Sequence, residues 1–164
     1  MIKIIDTLEL TPDGVRSGGT SKVHLRQGEL DGACAVYSLM MYLIILRICT
    51  YKQVTEGNNI KRSTSKGRII RNFLERQAGL IRKGLGFADD IKDGLQFAAK
   101  SIVDFNYFAS RQETIETLKR CIDDNKPLMI GVDYNKVDGH ALLAIGYETR
   151  NDKIKKNLLF RPRK

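Results

Sequence analysis

Cysteine, histidine and long apolar runs are all scarce in this chain of 164 residues, and each shortage excludes something. The three cysteines, Cys34, Cys49 and Cys121, are an odd number, and no basic, apolar, small-residue leader precedes them. A secreted disulfide framework is therefore not expected, and a reduced, cytoplasmic setting is. Cys49 and Cys121 are spaced like neither a zinc site nor a redox pair and read as core filler, so no metal or cofactor is expected. The longest uncharged stretch, 32–46, has fifteen residues, short of the roughly 20 that a helix needs to cross a bilayer. Gly84-Leu85-Gly86 lacks the lysine and serine of a phosphate loop and reads as a turn. A hydrophobic share of 42% and a charged share of 29% are those of an ordinary globular chain, which excludes collagen-like, low-complexity and coiled-coil architectures.

What the chain has in excess is positive charge. Lys and Arg number 28 against 19 Asp and Glu, a formal charge of +9, which favours contact with something acidic. The excess is concentrated in 61–83, where Lys61, Arg62, Lys66, Arg68, Arg71, Arg76, Arg82 and Lys83 face one acidic residue, Glu75. This segment reads either as a docking face for nucleic acid, an anionic membrane or an acidic protein, or as a solvated helix surface. Phe73 is its only aromatic residue, which disfavours a platform for stacking single-stranded bases.

Hydropathy patterning predicts an α+β domain: helices in the first two thirds, antiparallel strands in the last. Residues 35–46 are apolar all round, the mark of a helix in the middle of a core. Before them, 2–10 predicts one short strand, followed by a glycine-broken flexible arm within 1–21. An amphipathic helix is expected over 63–77, and another, weakened by Gly94, over 89–100. Ser110-Arg111-Gln112-Glu113 has capping-box spacing and opens a helix over 111–124, which Pro127 prevents from continuing. A strand at 128–132, a loop at 135–139, a strand at 141–147, a turn at 149–152 and a returning strand at 153–160 complete a single domain spanning 1–164.

Only His24 and His140 can supply an imidazole. His140 opens an apolar strand, a rigid edge from which to hold its ring, whereas His24 sits in the glycine-rich arm. Cys34 begins the apolar helix, where unsatisfied N–H groups and the helix dipole favour a thiolate. A cysteine and a histidine brought together by folding have the ingredients of a nucleophile and base. Gln27, seven residues upstream, has a side-chain N–H that can meet an oxyanion, with the Cys34 backbone N–H as a second donor.

These residues also carry a resemblance. Gln27-Gly28-Glu29-Leu30-Asp31-Gly32-Ala33-Cys34-Ala35-Val36-Tyr37-Ser38 resembles the glutamine-to-cysteine signature of papain-like cysteine peptidases. Gly139-His140-Ala141-Leu142-Leu143-Ala144-Ile145-Gly146-Tyr147 resembles their histidine strand, and the order Gln, Cys, His is the same. Within that clan, the short length and helix-then-hairpin plan are most similar to the bacterial double-glycine, bacteriocin-processing peptidases. The resemblance implies a papain-like fold and hydrolysis of a peptide or isopeptide bond in a peptide or protein substrate. It assigns Cys34 as nucleophile, His140 as general base and acid, and Gln27 to the oxyanion hole. A deamidase or acyltransferase would use the same pair of residues, and a basic binding module that has lost turnover is the reading from another class.

The gap from Gln27 to Cys34 is one residue longer than the usual papain spacing. The family also orients its histidine with an Asn or Asp on the returning strand, and by simple spacing Asn157 resembles that residue. Turn arithmetic points elsewhere: a hairpin reversing near Asn151 and Asp152 sets residue 140 opposite 162 or 163. The double-glycine relatives often carry Asp-Pro there, where this chain has Arg161-Pro162, and an arginine cannot accept the histidine N–H.

Overall fold

The computed structural model describes residues 1–25, 34–56, 60–61, 63–72, 110–133, 139–151 and 153–160. The class is α+β, a mixture of helices and antiparallel sheet. In chain order the elements are β1 (Ile2–Ile4), β2 (Leu8–Thr11), β3 (Gly14–Ser17), β4 (Ser21–Lys22), α1 (Cys34–Ile45), α2 (Tyr51–Glu56), α3 (Ser65–Ile70), α4 (Arg111–Asp123), β5 (Leu128–Asp133), β6 (Gly139–Arg150) and β7 (Lys153–Phe160). The helix expected over 89–100 and residues 73–77 of the one expected over 63–77 lie outside the described residues.

The twelve-residue strand β6 organises the main sheet. Along one edge, β5 pairs with its first half (Val132 opposite His140, Leu128 opposite Ala144) and β1 with its second half (Ile4 opposite Gly146). Along the other edge runs β7, from Arg150 opposite Lys153 to Leu143 opposite Phe160. Asn151, at the hairpin turn, has φ 51°, the left-handed conformation that asparagine tolerates better than most residues. Gly146 sits where three strands crowd: a Cβ there would lie 2.5 Å from the Lys3 carbonyl oxygen.

Against this sheet lies α1, whose residues are nearly all buried, from Ala35 to Ile45, as an all-apolar helix requires. It ends where Arg47 turns left-handed (φ 57°), with Ile48 N–H bonded to Leu43 O and Arg47 N–H to Ile44 O. That pair of bonds satisfies carbonyls the helix leaves without partners. A further one, Ile45 O, accepts from the buried Ser17 hydroxyl at 3.2 Å. On α4, Ser110 and Glu113 form the expected capping box, and Leu118 and Ile122 join the same core as α1, Ala141, Leu143, Ala144 and Tyr147.

The N-terminal region corrects the expectation of one strand and an arm. After β1, residues 8–22 form a three-stranded antiparallel meander, β2-β3-β4. The glycines that read as breakers lie at its turns: Gly14, the first residue after the Pro12-Asp13 reversal, and Gly18 and Gly19, within the three-residue reversal 18–20, all have positive φ, the conformation that tight hairpins use. The short helix α2 was not anticipated. Its signal is the capping pattern Thr50-Tyr51-Lys52-Gln53, in which Gln53 N–H donates to Thr50 Oγ1 and Thr50 N–H to Gln53 Oε1.

Candidate active site

Cys34 is the first residue of α1, and no acidic residue occupies that first turn. The positive end of the helix is thus offered to the sulfur rather than to a carboxylate. The strand that crosses it is β6. The Ala141 N–H donates to Cys34 Sγ at 3.3 Å, joining positions 107 apart in sequence. Covalent geometry then sets the His140 Cα within about 6 Å of the sulfur.

A second bond fixes the crossing. Ser38, four residues along α1 and therefore on the same face as Cys34, donates its hydroxyl to the Ala141 carbonyl at 3.1 Å. Ser38 is fully buried. Two positions one helical turn apart thus hold the N–H and the C=O of one strand residue, so α1 and the start of β6 cannot slide past each other without losing both bonds. The adjacent His140 is half-buried, with its Nε2 buried.

The structure thus brings Cys34 and the His140 segment together. Asn157 is not part of that assembly. It stands exposed on β7, opposite Tyr147, seven residues along β6 from His140, or about 23 Å at strand rise. This corrects the assignment by simple spacing. The turn arithmetic is the better guide, since the hairpin reverses beyond Arg150 and Lys153 as it requires. Residues 162 and 163, which it sets opposite His140, and Gln27 lie outside the described residues. Sequence reading missed Ser38, and its signal was plain: the one serine in an otherwise aliphatic and aromatic helix, four residues after the cysteine.

The other cysteines sit in different surroundings. Burial pushes the Cys49 thiol up to about 12, with Lys66 opposing weakly, and burial also raises Cys121. Both are thereby kept protonated near neutrality. His24 packs its ring against Phe160 at 6.1 Å between centroids. Among the described residues no group of three or more His, Cys, Asp or Glu is placed to hold a metal ion, and no helix is long and apolar enough to cross a membrane. Of the basic segment, Lys61, Lys66, Arg68 and Arg71 are described. Arg68 folds back onto Ser63 O and Ser65 Oγ, which spends its guanidinium within its own helix end. Compared with family models, with curated proteins and with solved structures, the chain matches none.

Proposed function

We propose that the chain is a papain-like thiol hydrolase that cleaves a peptide or isopeptide bond. The observation that supports this reading is the bond from Ala141 N–H to Cys34 Sγ. It sets the sulfur at a helix N-terminus and beside the segment that carries the histidine, the arrangement a thiol nucleophile and its base require.

In the reaction, His140 takes the thiol proton and the Cys34 sulfur attacks the amide carbonyl, forming a C–S bond while the carbonyl electrons move to oxygen. Gln27 and the Cys34 backbone N–H steady that oxyanion. Its collapse breaks the C–N bond, and His140 returns the proton to the departing amine. Water, deprotonated by His140, then attacks the thioester, releasing the carboxylic acid and restoring the thiol. Asn157 has no part in this scheme, so the catalytic unit is the Cys34–His140 pair.

The test is amide hydrolysis of a mixed peptide pool followed by mass spectrometry of the products. Cleavage that disappears in Cys34→Ala and falls at least about a hundredfold in His140→Ala is the expected result, the scale of a lost general base. Cleavage unchanged in Cys34→Ala overturns the reading. The position of Asn157 favours one second reading, a basic binding module on the same core with little turnover. Binding to nucleic acid that weakens steeply with salt, without peptide cleavage, supports that alternative.

A further inference from the structure

Between the meander, α1 and α2 lies a cavity of about 500 Å³, within the size range of small-molecule sites. It is separate from the cysteine. Val36 and Met40, which line it, are one turn apart on α1, and at 100° per residue they lie roughly opposite the face of Cys34 and Ser38. With Leu25 and Val54 they make a buried apolar floor, while the half-buried rings of Tyr37 and Tyr51 form walls.

Charge enters at the mouth. Asp13 already faces a cation, with its carboxylate 3.6 Å from the Arg16 guanidinium. Lys22 stands with its ammonium 5.8 Å from the centre of the Tyr51 ring, and among the described residues it forms no ion pair. The uncompensated charge offered to a ligand is therefore positive, on an exposed side chain above an apolar, aromatic-walled floor. A charged group at the rim of an apolar pocket orients a ligand whose body is held by burial.

We infer that this cavity binds a small carboxylate with an aromatic or branched apolar body. The body lies over Val36, Met40, Leu25 and Val54, and the carboxylate meets Lys22. Such an anion is available as a free acid or as the C-terminal residue of a peptide.

The experiment compares hydrocinnamate with its neutral amide, hydrocinnamamide, by titration of the full chain followed by NMR. The acid is expected to bind about tenfold more tightly, the margin of a charge-assisted over a neutral hydrogen bond, and to lose that margin at high salt. Lys22→Met, at an exposed position, removes the preference for the acid. Thr55→Trp, on the rim, weakens both ligands. Equal affinity of acid and amide for the native chain, an acid affinity unchanged in Lys22→Met, or no saturable binding below about 10 mM overturns the inference. An N-acetylated Gly-Gly-Phe peptide identifies the source: tighter binding than hydrocinnamate assigns the cavity to a chain terminus, weaker binding to a free acid. Cys34→Ala retains the binding, so the cavity and the hydrolase reading stand or fall separately.

Discussion

Cys34 and Ala141 meet through a bond from a strand amide to a helix-terminal sulfur, 3.3 Å long. This contact orders the rest of the site, because the residue before Ala141 is the histidine and the residue four after Cys34 is the serine that holds the carbonyl of the same strand residue.

Ser38 is consequently a positioning residue. Replacing it with alanine removes the donor to Ala141 O from a fully buried location, with an expected cost of about 1–3 kcal/mol. Thermal unfolding measures the stability loss. Labelling of Cys34 by an electrophilic peptide falls at the same time, although the thiol is retained, and Ser38→Thr, which keeps the hydroxyl, restores part of it. A loss of stability with undiminished labelling assigns Ser38 to packing alone.

Gly146 tolerates no side chain. A Cβ would lie 2.5 Å from the Lys3 backbone oxygen and 3.1 Å from a Leu158 methyl, and the first of these is backbone that cannot swing aside. Gly146→Ala is expected to lower stability by about 1–3 kcal/mol. Gly18→Ala meets the Arg47 guanidinium, a movable side chain, but also a φ of +57°, so a loss of about 1 kcal/mol is expected there. Urea denaturation of both variants ranks them.

Tyr147 gives the fold an alkaline limit. Its hydroxyl donates to Asp123 at 2.6 Å; that hydrogen bond, followed by burial, pushes its pKa from 10.0 to about 12. Because the folded value is the higher, this contribution to stability is complete below the unfolded pKa and is lost as pH rises through the folded one. Stability measured from pH 9 to pH 12 should therefore decline above about 10. In Tyr147→Phe the protein is less stable at neutrality, and this component of the decline is absent.

Asn157→Ala should leave both peptide cleavage and folding almost unchanged, since the side chain is exposed and opposite Tyr147 rather than near His140. Exposed substitutions of this kind fall within about 0.5 kcal/mol. A large fall in activity without a fall in stability contradicts the placement.

The sequence made the core and the site's two ends legible wherever a local pattern sufficed. The apolar run is the helix Cys34–Ile45, the capping box is the start of Arg111–Asp123, and the hairpin reverses at Asn151. The meander was hidden because its strands are only two to four residues long, too short for alternation to register, and its glycines look the same whether they end structure or turn it. Order along the chain suggested that Cys34 and His140 meet, but the means of meeting, Ser38 and the Ala141 peptide, is tertiary. Asn157 failed because counting along the chain ignores register, which the turn sets.

The most direct test is a peptidyl vinyl sulfone at neutral pH, with the modified cysteine identified by mass spectrometry. Raised thiol pKa values keep Cys49 and Cys121 largely unreactive, so the label maps to one site. The account predicts labelling of Cys34 at least about a hundredfold faster than that of a free thiol, with most of this advantage lost in His140→Ala. Labelling of Cys34 no faster than a free thiol, or unaltered by His140→Ala, contradicts it.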